Sequence, residues 1–158
     1  MRLIALFVFL FSNYCVAGQT LSLDEISRVR NMDSVELKMF CDSKGFNLKE
    51  KKEDNWIYTH SYFSPADSSI WFLRTYPKGD KEHRSVYYYF TDLKTQNDFK
   101  KQMKKKGFKF KRKDEKDYGG NIFSHSIYLA EAEEIQLGTE KLIKQKVTYS
   151  LTYYRRVN

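Results

Sequence analysis

The chain has 158 residues, of which 28 are Lys or Arg and 20 are Asp or Glu, so its formal net charge is +8. Hydrophobic residues make up 41% and aromatic residues 16% of the sequence, which excludes an intrinsically disordered chain. Two Pro, seven Gly and two Cys exclude collagen-like, low-complexity and disulfide-framework classes. The length predicts one domain, or two small units that share a core.

Residues 1–18 have the pattern of a cleaved secretory signal peptide. Arg2 precedes the apolar run Leu3–Phe11, and a stretch of smaller residues follows as far as Gly18. As a helix this run is too short to cross a bilayer. The sequence therefore predicts an exported protein, periplasmic or extracellular, with no transmembrane segment after cleavage.

Signal cleavage would also change the cysteine content. It would remove Cys15 and leave Cys41 as a single cysteine. Cys41 is in phase with Leu37 on a predicted helix, so we expect it to be a small buried hydrophobic residue rather than a reactive thiol.

The first predicted unit, residues 19–91, opens with two helix starts. Ser22 with Glu25 forms a capping box, and Asp33 with Glu36 forms a second one. Gly45 fits the left-handed position that ends a helix. Four strand-like runs follow, at residues 46–51, 55–63, 69–76 and 85–90.

The second predicted unit, residues 92–158, repeats this order. Thr95 with Asp98 predicts a helix start, and Lys106-Gly107-Phe108 matches Lys44-Gly45-Phe46 at an offset of 62 residues. Residues 122–126 match residues 57–61 at an offset of 65. Closing strands are predicted at 134–137 and 146–154. The acidic residues Asp114, Glu115 and Asp117 are expected to lie in a turn, and Glu131, Glu133 and Glu134 near a hairpin without a partner acid or base.

Each unit thus reads as a helix or helix pair followed by four strands joined by short loops. Short loops favour antiparallel pairing. The predicted fold class is α+β, a tandem repeat with the helices on one sheet face. Side by side, the two units can form one continuous eight-stranded sheet.

A secreted chain with two tandem units of helix-loop-helix plus four strands resembles the β-lactamase inhibitory protein family. The resemblance covers residues 20–156 in architecture and length, and the chain departs from it in having one cysteine after residue 18 where that family has disulfides. The resemblance implies an aromatic-rich concave sheet face that grips a partner enzyme. A looser similarity to cystatin-like and peptidase-propeptide-like modules also implies enzyme binding.

Aromatic residues are concentrated in the predicted strands. Tyr and Trp are common in protein-binding hot spots, although Tyr also simply favours strands. Alternation places Trp56 and His60 on the same side of a strand, and we predict that this side is the open sheet face. We also predict that His60 and His125 occupy equivalent positions in the two units. If that side is instead core, both histidines are buried. The predicted partner-binding residues are Trp56, Tyr58, His60, Tyr62, Trp71, Tyr87 and Tyr89.

Residues 100–113 carry nine positive charges and no negative charge. Without them, residues 19–158 have 18 basic and 20 acidic side chains. This basic run predicts a patch that steers an acidic protein or docks on anionic polysaccharide or lipid; a solvated surface is the alternative. Export disfavours nucleic acid. The patch consists of Lys100, Lys101, Lys104, Lys105, Lys106, Lys109, Lys111, Arg112 and Lys113.

The sequence has no GxSxG, HExxH, P-loop or GxGxxG motif, and no ligand spacing typical of zinc; His83 lies in a charged turn. No catalytic residue, metal or cofactor is predicted. The sequence favours a non-enzymatic exported protein that binds another protein, of the inhibitor or immunity type. The alternatives are an envelope-docking module that binds anionic polysaccharide or lipid, and a structural envelope protein.

Overall fold

The described part of the chain contains helices followed by a four-stranded segment, and this order occurs twice. The structure, a computed structural model, describes residues 20–67, 70–78, 84–143 and 145–155. The predicted signal peptide and His83 lie outside these residues. The elements are α1 Leu23–Asn31, α2 Ser34–Lys44, β1 Asn47–Glu53, β2 Ile57–Phe63, β3 Trp71–Pro77, β4 Ser85–Phe90, α3 Leu93–Lys105, β5 Lys109–Tyr118, β6 Asn121–Ala130, β7 Glu133–Lys141 and β8 Thr148–Arg155.

All eight described strands form one antiparallel sheet in the order β1-β2-β3-β4-β8-β7-β6-β5. Each half is a run of hairpins, and the two halves join where β4 pairs with β8. The prediction of an α+β fold with one continuous eight-stranded sheet is confirmed.

The two halves share matching irregularities in their outermost strands. A β-bulge follows Leu48 in β1, and another follows Phe110 in β5, 62 residues later. Leu48 pairs with Tyr62 and Phe110 pairs with Tyr128, so the bulges define which residues of the two halves correspond. A bulge bends and twists its strand, so both ends of the sheet are shaped in the same way.

The helix ends use the predicted glycines. Gly45 and Gly107 have φ of 66° and 81°, a left-handed conformation that favours glycine. Phe46 and Phe108 follow them, and each amide donates a hydrogen bond to the carbonyl five residues earlier, at 2.9 and 3.0 Å. Both phenylalanines are buried, so the glycines turn the chain from a helix directly into the core.

The helix starts follow the sequence in two of three cases. The capping boxes at Ser22 and Asp33 are both present. The predicted start at Thr95 is wrong, because α3 begins at Leu93. The Asp92 side chain accepts hydrogen bonds from the amides of the second and third helical residues, at 3.1 and 2.9 Å, and so caps the helix earlier.

The core lies between the helices and one sheet face. α1 lies over the junction of β4 and β8 and contacts both strands. The amide of Leu21 donates to the Tyr88 hydroxyl at 3.2 Å, and Phe99 of α3 packs edge-on against the same ring. Cys41 is 3% exposed, which confirms that it is buried, and burial raises the pKa of its thiol to about 12.

The expectation of a turn at Asp114, Glu115 and Asp117 is wrong. β5 continues through them to Tyr118, because each pairs with a residue of β6. Every residue of β5 is exposed, and so is every residue of β1 at the opposite edge. Charged side chains on both edge strands are typical of sheets that avoid edge-to-edge association.

Candidate functional site

The sheet face opposite the described helices is here called the open face. It carries a row of side chains that crosses seven adjacent strands, β2-β3-β4-β8-β7-β6-β5. Strand register defines this row, since directly paired residues point to the same side. Its members are Phe63, Trp71, Tyr89, Ser150, Gly138, His125 and Asp114.

The side chains at the centre of this row project least from the sheet. Gly138 and Ser150 carry the smallest side chains in the row, and both are buried. A Cβ at Gly138 would lie 2.2 Å from the Ser150 Oγ and 3.3 Å from ring atoms of His125, so these neighbours close in over the glycine. A trough of about 480 Å³ lies beside them, lined by Ser85, Tyr87, Tyr89, His125, Gln136, Glu140, Ser150, Thr152 and Tyr154.

One side of the trough is a fixed aromatic wall. The rings of Trp71 and Tyr89 are parallel, with centroids 3.8 Å apart and an interplanar angle of 8°. Burial raises the pKa of the Tyr89 hydroxyl. Tyr87 lies on the same face, one row further along β4. Because stacking already fixes Trp71 and Tyr89, these two side chains would lose little conformational entropy if another molecule packed on them.

The other side of the trough is a hydrogen-bonded cluster. The Tyr154 hydroxyl donates to Glu134 Oε1 at 2.5 Å, and the Gln136 amide donates to the same oxygen at 2.9 Å. Gln136 also donates to the Tyr154 hydroxyl. Burial and the Glu134 carboxylate raise the pKa of Tyr154, so this hydroxyl remains a hydrogen-bond donor at neutral pH.

The structure separates the predicted partner-binding residues. Trp71, Tyr87 and Tyr89 lie on the open face. Tyr58, His60 and Tyr62 point to the helix side, so their predicted placement on the open face is wrong. Trp56 lies in the turn before β2 and is 79% exposed.

Core packing explains this correction. Tyr62 is 7% exposed and stacks on the fully buried Phe72 at 4.8 Å. Burial raises the pKa of Tyr62 to about 12. His60, two residues earlier, faces the same side; burial, with the nearby charges of Lys51 and Arg74, lowers its pKa. Alternation correctly grouped these residues but carried no information on which side the helices cover.

The predicted equivalence of His60 and His125 is also wrong. His60 pairs with Arg74 on the helix side, whereas His125 pairs with Gly138 on the open face. The matched bulges make Tyr62 correspond to Tyr128, an offset of 66 rather than 65. A shift of one residue moves a side chain to the opposite face.

Sequence reasoning missed the second-unit half of the trough. Tyr154, Gln136 and Ser150 line it, and Gly138 lies beneath the Ser150 hydroxyl. A glycine inside a strand was the one available signal, because it often marks a close approach of other atoms.

The basic run is spread over two elements. Lys100, Lys101, Lys104 and Lys105 lie on α3, and Lys109, Lys111, Arg112 and Lys113 lie on the edge strand β5, with Lys106 between them. Four of these cations have a carboxylate within salt-bridge distance in the described chain: Lys101, Lys106, Arg112 and Lys113.

The glutamates near the β6–β7 hairpin have partners, contrary to expectation. Glu133 Oε1 lies 3.5 Å from Arg30 Nη2, and Glu134 accepts from Tyr154 and Gln136. Glu131 is in the turn, with φ of 43°.

Among the described residues, no group of three or more His, Cys, Asp or Glu side chains is arranged to hold a metal ion. The described helices include none with the length and apolar character needed to span a membrane.

Comparison with known proteins returned no match: no protein-family model fits the chain, and neither curated proteins nor solved structures include a significant relative.

Proposed function

We propose that this chain is a non-enzymatic exported protein that binds another protein through the open face, in the manner of an enzyme inhibitor or an immunity protein. The observation that carries the proposal is a face of the eight-stranded sheet that none of the described helices covers, with a fixed aromatic wall beside a polar trough. Aromatic anchors next to a concavity are the usual arrangement of a protein-binding hot spot.

The size of the open face fits a folded protein partner. Strands lie about 4.8 Å apart and rise about 3.3 Å per residue, so eight strands of seven residues present roughly 800 Å². A stable protein–protein interface buries about 800 Å² on each partner. A small ligand would fill only the trough.

Capture of a partner with paired tyrosine variants tests this proposal. The immobilised protein is exposed to envelope extracts from the cells that produce it and from neighbouring strains. Tyr89→Ala removes part of the aromatic wall, and Tyr58→Ala is the matched control, since it removes a stacked tyrosine from the helix side. We expect Tyr89→Ala to lose a partner that wild type and Tyr58→Ala retain. Equal recovery by all three proteins would refute the open face as the binding surface.

Docking on an anionic envelope component is the second candidate. Five lysines of the basic run, Lys100, Lys104, Lys105, Lys109 and Lys111, have no carboxylate within 4.0 Å among the described residues, so their charges are available. Such docking should collapse between low and moderate salt, whereas binding through the aromatic wall should lose mainly association rate. A salt titration of binding, with a charge reversal at Lys104, Lys105 and Lys106, separates the two candidates.

A further inference from the structure

A groove of about 840 Å³ opens on the helix side of the sheet, away from the open face. It runs between α1 and the ends of β5, β6 and β7. Leu23, Phe108 and Tyr153 supply apolar surface, and Arg30 lies against Tyr153. The second unit contributes a single helix within the described chain.

Arg30 is a buried cation whose hydrogen bonds are incomplete. The residue is 8% exposed, and its Cζ lies 4.9 Å from the centroid of the Tyr153 ring. Nη2 is 3.5 Å from Glu133 Oε1, at the long limit of a hydrogen bond. Nη1 is shielded from water and has no hydrogen-bond partner among the described residues. A guanidinium has five N–H donors, and a buried charge is costly unless such donors are satisfied.

The groove walls are predominantly cationic. Lys106, Lys109 and Arg155 line it together with Arg30, against the acidic side chains of Glu131 and Glu133. Cations on low-dielectric walls concentrate field in a cleft and attract anions.

We propose that this groove binds the carboxylate of a ligand that has an apolar body. Arg30 supplies the planar fork of donors that matches a carboxylate, including the donor that now lacks a partner. Arg155, which pairs with Glu133 and faces the same side as Tyr153, supplies a second positive charge at the exposed rim. Leu23 and Phe108 contact the apolar body. Because Nη1 is shielded from water, the guanidinium has to turn towards the groove to present two donors, and this exchanges its long contact with Glu133 for parallel bonds to the ligand.

This carboxylate site is independent of the proposed partner-binding surface. The groove and the trough share no lining residue, and the groove side chains that carry this proposal, Arg30 and Phe108, pack against Tyr153 on the helix side. A variant such as Trp71→Ala therefore leaves the groove intact, and failure of one proposal does not imply failure of the other.

Amide-resolved NMR titration of the full-length protein tests the carboxylate site. The probes are phenylacetate and two tetrapeptides ending in Phe, one with a free carboxylate and one amidated. We expect saturable shifts of groove amides, with a dissociation constant in roughly the millimolar range that suits one charged contact on a small ligand. Binding of phenylacetate alone identifies a small organic acid as the source of the carboxylate. Binding of the free peptide but not its amide identifies a chain terminus, and either result supports the site.

Three variants decide whether the proposed residues are responsible. Arg30→Lys keeps the charge but loses the fork, and we expect about tenfold weaker binding. Arg155→Gln alters an exposed rim residue and should weaken binding severalfold, which keeps the test decisive if Arg30→Lys fails to fold. Arg28→Lys, at an exposed position on the same helix, is the control and should bind like wild type. The proposal is overturned by absence of saturable shifts with all three probes, by equal binding of the free and the amidated peptide, or by wild-type affinity in every groove variant that folds.

Discussion

At the scale of single residues, the shape of the open face depends on the small side chains at Gly138 and Ser150. Gly138 lies where any larger side chain would meet Ser150 and His125. Its backbone is not in the left-handed region, so the constraint is space rather than conformation. The absence of a Cβ therefore lets the Ser150 hydroxyl and the His125 ring pack directly over the backbone of β7, next to the trough.

The variant Gly138→Ala tests this point. Its Cβ would lie 2.2 Å from the Ser150 Oγ. We expect a loss of about 1–3 kcal/mol in the free energy of unfolding, typical of an overpacked site, measured by urea denaturation. Adding Ser150→Ala removes the clashing oxygen and should restore most of the loss. Wild-type stability of the single variant, or no rescue in the double variant, would show that the trough is not closely packed.

At the residue scale, the sequence could group side chains on one sheet face but could not identify which face the helices cover. Alternation placed Tyr87 and Tyr89 together on one face, and they are together. It could not say which face the helices cover, because that depends on packing of residues far apart in the chain. Tyr62 faces the helices because Phe72 and the core accept its ring, a fact absent from the local pattern around it.

At the scale of elements, helix boundaries follow the capping side chains. Asp92 caps α3 through two backbone amides, and these hydrogen bonds lower the pKa of its carboxyl. Thr95 cannot be the N-cap of α3, because its own amide donates to Asp92 and it therefore already lies within the first turn of the helix.

We expect Asp92→Ala to lower the free energy of unfolding by about 1 kcal/mol, because two helix amides lose their acceptor. Asp98→Ala is the control: it removes an exposed ion pair with Lys101 on the same helix and should cost much less. Chemical denaturation at neutral pH measures both. A larger loss for Asp98→Ala than for Asp92→Ala would contradict the assigned cap.

The sequence predicted the elements that local signals define, and it missed the part of a strand that forms only by pairing with a distant strand. Capping boxes and helix-ending glycines act within a few residues, so Ser22, Asp33 and Gly45 were interpreted correctly. The second half of β5 was missed because its polar residues gain strand geometry only from pairing with β6. An edge strand exposed along its whole length has no hydrophobic alternation to reveal it.

At the scale of the whole molecule, the helix side of the sheet holds a core with several buried tyrosines. Burial raises the pKa of Tyr62 and of Tyr153 to about 12, against 10.0 for an unperturbed tyrosine. The folded state therefore favours the neutral hydroxyl more strongly than the unfolded state does.

The molecule should accordingly lose stability in alkali. Because both folded pKa values are raised, the stabilisation is fully present below about pH 10 and declines as the pH rises towards about 12. Urea midpoints measured between these limits should fall steadily. Tyr62→Phe and Tyr153→Phe should each reduce the slope, since each removes one titrating group. An unchanged slope in both variants would contradict the assignment of these hydroxyls to the core.

The same sheet thus has one face that packs against the described helices and one that these helices leave uncovered. The net positive charge noted in the sequence does not reach the trough, whose lining among the described residues includes no Lys or Arg. The basic run belongs to α3 and the β5 edge, and in the proposed function it would steer a partner from there.

The affinity of a captured partner for two tryptophan variants tests the central claim most directly. Trp71 is part of the aromatic wall, and Trp56 is an exposed tryptophan outside it. If the open face is the binding surface, Trp71→Ala should raise the dissociation constant by at least about tenfold, while Trp56→Ala leaves it within about twofold of wild type. An unchanged constant for Trp71→Ala, or an equal loss for Trp56→Ala, would contradict the claim.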